Sequence, residues 1–386
     1  MKTQIRFLTV AATAFAASIA SAKSLYDLGD GVTLHFIGEA SVVYEDNIYL
    51  QTTESADDLR VEFVAGLELR SSPDASAETT FSITNRSIRY DTEPLDDNFL
   101  SVRFNTRYNS GVVMSNGYAS YVEDYSSRFD LDDGGDVFGA VVHRDRTSVG
   151  GSLKYGVSNL TSVKAGFDYA DLDYTNTSLT NYQGNSSYSI PVTVFYQIRP
   201  TIDLTTGVRY RRTDTDLGIE YTDMYYYVGA VGELFSPVVH ADLSVGYQKR
   251  NAKGNLADSD SPSYKLSLIY TGDPKSSIYA TIQRDFRTSA TSSVSSYTYT
   301  SGTIGASYSL TRSIGLNAAL VYAETEYQES DRSDDIEMVR LGATYSPNDY
   351  LTVAASFNRR DIDINSIGGS SNYKTNEFRV SASLRY

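Results

Sequence analysis

Three histidines, His35, His143 and His240, are the side chains best suited to acid–base chemistry near neutral pH. His35 and His240 fall within alternating segments. His143 falls in the stretch D-V-F-G-A-V-V-H-R-D-R, with Asp132, Asp133, Asp136 and Asp145 close by in sequence. A hydrolytic centre needs a nucleophile, a base and an orienting group that converge, and no spacing in the chain brings such a trio together. The run D-L-D-D-G-G-D (130–136) offers carboxylates and glycines to a calcium ion but lacks the later glutamate of an EF-hand loop. It reads as a solvated acidic loop. With no cysteine in the chain, thiolate metal sites and disulfides are excluded. The expectation is therefore no catalytic residue, no metal centre and no cofactor.

The remaining chemistry is that of charge, and its placement depends on the elements that carry it. Apolar residues recur at every second position from one end of the chain to the other. L-x-V-x-F-x-T-x-Y (100–108), V-x-G-x-L-x-Y (149–155), V-x-V-x-Y (192–196), L-x-L-x-Y (266–270), I-x-A-x-Y (304–308), V-x-L-x-A-x-Y (339–345) and V-x-A-x-L-x-Y (380–386) each finish on tyrosine. Period two means strands with one apolar and one polar face. Intervening series end on Tyr169, Tyr210, Tyr247 and Tyr322, and one ends on Phe357. The connections alternate. Short ones carry turn residues, such as Asn109-Ser110-Gly111 and Arg199-Pro200-Thr201. Long ones, Ser126–Arg146, Thr175–Ser186, Asn251–Pro262 and Asp361–Lys374, are acidic and rich in hydroxyls. This is an up-and-down meander whose two ends meet different surroundings.

The segments number about 18, with 16 the alternative count, consistent with the even numbers usual for such barrels. The predicted spans are 32–45, 58–70, 78–90, 99–108, 112–125, 147–156, 161–174, 187–199, 201–212, 222–234, 238–250, 263–271, 276–288, 295–309, 313–326, 335–345, 350–360 and 375–386. Alternation is blurred in 78–90, 112–125 and 222–234. The fold class that follows is all-β: a transmembrane up-and-down antiparallel β-barrel with short periplasmic turns and long acidic extracellular loops. Only a helix or a closed barrel satisfies its own backbone in lipid, and closure requires the last strand to pair with the first. The final stretch F-R-V-S-A-S-L-R-Y is then a stave of the wall.

The chain opens with Lys2 and Arg6, an apolar run from Phe7 to Ile19, and Ala20-Ser21-Ala22. This pattern predicts a secretory signal peptide over 1–22, cleaved before Lys23, and a barrel over 23–386. The chain holds 32 Tyr, 15 Phe and 27 Gly but no Trp. With 33 Lys+Arg against 48 Asp+Glu the net charge is −15; loss of Lys2 and Arg6 with the leader, which holds no acid, takes it to −17. An acidic chain is a poor partner for nucleic acid.

Tyrosine suits the boundary where a ring meets lipid and a hydroxyl meets water. With the N-terminus in the periplasm, Tyr108, Tyr155, Tyr196, Tyr270, Tyr308, Tyr345 and Tyr386 form a lower girdle. Tyr44, Tyr169, Tyr210, Tyr247 and Tyr322 form an upper one. The opposite parity faces the lumen. It places Arg60, Arg70, Arg103, Arg107, Arg340, Arg379 and Arg385 on one side of the wall, a basic stripe within an acidic protein. Such a stripe either favours anionic solutes or pairs with Glu39, Glu62, Glu68 and other carboxylates to brace the lumen.

The ending F-x-V-x-A-x-L-x-Y resembles the C-terminal signal of bacterial outer-membrane proteins. That resemblance implies insertion by the barrel-assembly machinery. Segments such as R-P-T-I-D-L-T-T-G-V-R-Y and S-P-N-D-Y-L-T-V-A-A-S-F run from turn through alternation to an aromatic. In them the chain resembles the outer-membrane β-barrel porin type 2 (BBP2-like) group. The resemblance implies a porin-like channel in the bacterial outer membrane, among its lipids and lipopolysaccharide. Some members of the group are associated with exopolysaccharide export, so an export conduit served by periplasmic polysaccharide-export components is the alternative. A non-transporting structural or adhesive barrel is a third reading.

Overall fold

The computed structural model describes residues 25–29, 31–52, 56–71, 77–125, 141–175, 182–253, 256–289, 296–328, 330–366 and 369–386. The predicted signal peptide, residues 1–22, and the acidic run 130–136 lie outside them. The described residues form no helix. The strands are β1 (Tyr26–Gly29), β2 (Val32–Glu45), β3 (Asp58–Ser71), β4 (Ala77–Tyr90), β5 (Asp97–Asn109), β6 (Val113–Tyr125) and β7 (His143–Gly156). Then come β8 (Thr161–Thr175), β9 (Asn185–Arg199), β10 (Ile202–Thr215), β11 (Glu220–Ser236), β12 (Val239–Ala252) and β13 (Ser259–Asp273). The chain finishes with β14 (Ser276–Thr288), β15 (Ser296–Ser309), β16 (Ile314–Tyr327), β17 (Ser333–Tyr345), β18 (Leu351–Ser366) and β19 (Gly369–Arg385).

Each strand from β2 to β19 pairs antiparallel with the next in sequence. β19 returns to β2, from Glu377↔Glu45 down to Arg385↔Ile37. The wall is therefore closed, with 18 staves, each at its predicted place. Below the end of β19, the short β1 pairs with Val32–Leu34 of β2 and extends the seam. It has no counterpart in the predicted strands. Its four residues are too few to show alternation.

The loop-side ends correct the reading in two ways. Several staves run further than their apolar series: 361–366 and 369–374 are strand, and β12 and β13 take up 251–252 and 259–262. These are polar continuations of an existing ladder, held by backbone bonds after the lipid-facing pattern has ended. His143 is likewise the first residue of β7 and not a loop residue.

The outer face carries the apolar parity. Phe63, Leu67, Phe104, Val149, Leu153, Phe167, Val245, Leu320 and Val380 all stand exposed there. From Ile314, paired with Tyr345, to Tyr322 is a span of eight residue steps, about 26 Å along the strand and about 20 Å along a tilted axis. That matches the apolar band of an outer-membrane wall. Tyr44, Tyr108, Tyr155, Tyr196, Tyr247, Tyr270, Tyr308, Tyr322 and Tyr345 are exposed at its two borders, and Tyr169, Tyr210 and Tyr386 are half-buried. At the loop-side border Tyr44 donates to Asp57 at 3.2 Å, Tyr322 to Asp335 at 2.8 Å, and Tyr247 to Asp260. Each acceptor lies on the chain returning from the following loop, so the hydroxyls are anchored toward water.

The closing seam ends on the last residue. Tyr386 N–H donates to the Phe36 carbonyl at 2.9 Å, and Phe36 N–H donates to the Tyr386 carbonyl at 2.6 Å. Deleting Tyr386 removes both bonds at the turn-side border. The expected loss is about 2 kcal/mol, read as a lower urea midpoint for unfolding from lipid vesicles with an unchanged slope.

Candidate functional site in the lumen

The inner face is built from small and polar side chains, with tyrosines laid flat along it. Tyr227 pairs directly with Gly207, Tyr118 with Gly150 and Tyr279 with Gly305. A Cβ on any of these glycines would collide with the partner's ring. The close approach lets each ring lie across the neighbouring strand instead of projecting into the lumen. Tyr225 and Tyr227 stack at 5.0 Å between centroids, and the Arg209 guanidinium sits 5.2 Å from the Tyr225 ring.

The loop-side half of the lumen is filled from two directions. The first filling is the end of β14. Its ladder with β13 stops at Tyr264↔Arg284, while its ladder with β15 continues to Thr288↔Ser296. Above Arg284 the end of β14 parts from β13 and reaches β10, four staves away, while β15 stays paired with β16 up to Tyr297↔Tyr327. Asp285 accepts from Arg209 at 2.9 and 3.1 Å, and the Phe286 carbonyl accepts from Arg211 at 2.6 Å. Arg250 on β12 is 1% exposed and secures the hairpin from the other side. It donates to both oxygens of Asp223 at 2.7 and 2.8 Å, to the Arg287 carbonyl at 2.8 Å and to Ser296 at 2.6 Å. Its guanidinium also lies between the rings of Tyr221 and Phe286, 4.7 and 5.1 Å from their centroids. Asp223 accepts from Arg211 as well, at 2.7 and 2.9 Å. A buried guanidinium is tolerated because nearly all its donors are matched.

The second filling is the β2–β3 loop. Leu50 enters an apolar pad on the inner faces of β15–β18, made by Tyr297, Tyr299, Val321, Ala323, Tyr327, Ile336, Met338 and Ile362. Leu50 has φ +48 and Asn47 φ +54. A left-handed backbone is costly for leucine, and burial of its side chain offsets that cost. Asn47 fastens the loop by donating to the Lys374 carbonyl at 2.8 Å and the Gln51 carbonyl at 2.9 Å.

Two cavities of about 350 Å³ each remain around the β14–β15 hairpin. One is lined by Lys164, Thr193, Phe195, Tyr225, Tyr227, Asp242, Lys265 and Asp285. The other is lined by Arg146, Asp171, Arg211, Asp285, Arg287 and Thr288. Asp285 borders both.

The predicted arginine stripe does occupy one side of the wall, on β3, β5, β17 and β19, but its members differ in state. Arg60 is buried among Glu45, Glu62 and Glu377 at 2.6, 2.8 and 2.8 Å. Arg379 meets Glu62 at 3.0 Å, and Arg385 pairs with Glu68. Arg340 donates to the Met338 sulfur at 3.5 Å. Arg60, Arg379 and Arg385 brace the wall; the Arg340 contact lies within its own strand. Arg70, Arg103 and Arg107 are exposed in the lumen, and no carboxylate pairs with them among the described residues. Glu39 forms no ion pair with them among the described residues either. Strand parity puts Arg209, Arg211 and Arg250 on the inner face as well, but parity alone gives them no role. Their role depends on the inward bend of β14, which Pro262 on the adjoining strand faintly signals, since proline cannot donate to a ladder.

His35 shares a 2.9 Å hydrogen bond with Thr33. His143 lies 3.4 Å from Asp97 and 3.3 Å from Asp145, edge-on to Phe99.

Residues 223–386 match the family model described as "Putative beta-barrel porin 2". The matched part runs from β11 to β19, half of the wall. A comparison with curated protein sequences finds no match. Among solved structures, the outer membrane protein OpdK from Pseudomonas aeruginosa is similar with a TM-score of 0.50 and 12% identity, over 92% of this chain and 99% of that one. OccK3 (OpdO) from Pseudomonas aeruginosa has a TM-score of 0.48 and 14% identity, over 94% and 98%. The FrpB iron transporter from Neisseria meningitidis, in its apoprotein form, has 0.47 and 9%, over 91% and 81%. The likeness to OpdK shows the fold: an outer-membrane barrel of closed antiparallel strands.

The hairpin's hold on β10 is open to test. Asp285→Asn removes a partly exposed ionic tie worth about 1 kcal/mol, shifting the docked-to-undocked ratio roughly fivefold. Leu50→Ser frees the other filling. Each substitution is expected to raise single-channel conductance in a planar bilayer, and the double variant more than either.

Proposed function

We propose that the chain is a porin-like channel that passes solutes across the bacterial outer membrane. The observation that carries this reading is a closed wall, apolar outside and polar inside, around a lumen that keeps open cavities. An apolar outer band between two tyrosine borders is what lipid requires, and hydroxyl, amide and charged groups inside are what a dissolved solute requires. The porin-family match over 223–386 and the outer-membrane fold of OpdK support the same reading. The bacterial outer membrane is the location this implies, with the short turns toward the periplasm and the long loops among lipopolysaccharide.

No bond need be made or broken. Selection falls to lumen width and lumen charge, and the β14–β15 hairpin with the β2–β3 loop sets the width at the loop side. Permeation is therefore expected to be narrower than an 18-stave wall by itself would allow. The test is conductance of the refolded protein, residues 23–386, in a planar bilayer. Discrete current steps without added partners support the channel. An inserted protein that stays silent, and remains so after Asp285→Asn and Leu50→Ser, excludes it. A current that appears only with periplasmic export components would assign it to polysaccharide export instead.

A further inference from the structure

The charge in the lumen is divided by height. At the loop side the cations are matched: Arg60, Arg209, Arg211 and Arg250 all meet carboxylates. At the turn side several are not.

Ladder rows climb as strand number rises. The row that begins with Thr33 at the turn end of β2 passes Arg70, Asn105, Gly150 and Arg211, and ends at Ser259 at the loop end of β13. A level line around the barrel must therefore step back toward the turns. Arg70 shares its row with Asn105, and Arg107 lies two residues nearer the turns on that strand. Arg107 shares its row with Ser152, and Lys154 again lies two residues nearer the turns. Two strands across is about 9.6 Å and two residues down is about 6.7 Å, a slope of about 35°, the usual tilt of such strands. Arg70, Arg107 and Lys154 thus stand at one height on every second stave. Lys164 is the direct ladder partner of Lys154, so two lysines share one register position on the inner face. Opposed like charges are unfavourable in a sheet.

Few carboxylates answer them. Asp203 is 3.9 Å from Lys154, which also rests 4.0 Å from the Phe195 ring. Glu68 is engaged by Arg385. Glu78 is the ladder partner of Arg107, yet the two form no ion pair. Arg70, Arg107 and Lys164 are exposed and have no side-chain partner among the described residues.

We infer that this arc, from β3 to β8 at the turn-side mouth, is a binding site for small oxyanions, the carboxylates and phosphates of solutes approaching from the periplasm. The inference rests on the channel reading for its direction of approach. Guanidinium and ammonium groups held at one height in a concave wall concentrate anions there. Because the arc lies at one mouth only, the channel is sided.

The test is current through the full barrel with citrate added to one side at a time. A single cysteine at Leu217, in the exposed β10–β11 turn of a chain that has none, reports which mouth faces which chamber. Citrate on the turn side is expected to block at about tenfold lower concentration than on the loop side. The variant Arg70→Gln/Arg107→Gln/Lys164→Gln breaks no bond of the fold and is expected to abolish that difference and to reduce anion preference in a salt gradient. A conducting wild type with equal block from both sides, or a variant that keeps the difference, overturns the site. If the inserted protein does not conduct, the channel reading fails, and the site is judged by calorimetric titration of citrate into the detergent-held barrel. Binding lost in the triple variant sustains it; no binding, or equal binding by both, overturns it.

Discussion

A backbone that crosses lipid must find every hydrogen-bond partner within the protein, and the architecture follows from that demand. Each stave satisfies its neighbours, and the last must satisfy the first. The β19–β2 seam, carried to the terminal peptide by the reciprocal bonds of Tyr386 and Phe36, completes the circuit. Once the wall is closed, its two faces are fixed by pleat alone: one parity to lipid, the other to the lumen. The outer face has little freedom beyond being apolar and ending in tyrosine. The inner face is where this chain differs from a bare cylinder.

Two kinds of interior result. On the loop side, the wall has grown past the apolar band, and its polar continuations support an ordinary folded core. Leu50 enters an apolar pad, Arg250 sits between two rings, and Asp223 receives two guanidinium groups. On the turn side, glycines opposite tyrosines keep the rings flat and the lumen clear. The ion pairs of the loop side hold structure together. The unpaired cations of the turn side hold none, and their charge is left to act on what enters.

The inward course of β14 links these halves. A strand can leave its neighbour only if its freed backbone groups find other partners. Here the carbonyls of Phe286 and Arg287 are taken by Arg211 and Arg250, and Phe286 N–H reaches Gln248 at 3.3 Å. The side chains that draw the end of β14 inward are thus the same ones that satisfy the backbone it exposes. Width and charge at the narrow part of the lumen are set by one set of contacts.

The sequence by itself determined the wall. Period-two alternation is local and is repeated in every stave, so the count of 18, the lipid-facing parity and the tyrosine borders were all legible from residue order. Strand ends at the loop side were not, because beyond the lipid a ladder needs no apolar pattern to continue. Parity also put Arg60, Arg70, Arg103, Arg107, Arg379 and Arg385 inside the barrel, but it could not say which are paired. Arg60 meets Glu377 across the closing seam, 317 positions away in the chain, and only closure brings them together. Arg209 and Arg211 find Asp285 because the end of β14 parts from β13, a bend that leaves the alternation of its residues unchanged. What only the tertiary structure decided is which charges are spent on holding the barrel and which remain free in the lumen. That division depends on distances between strands remote in sequence, which no local pattern records.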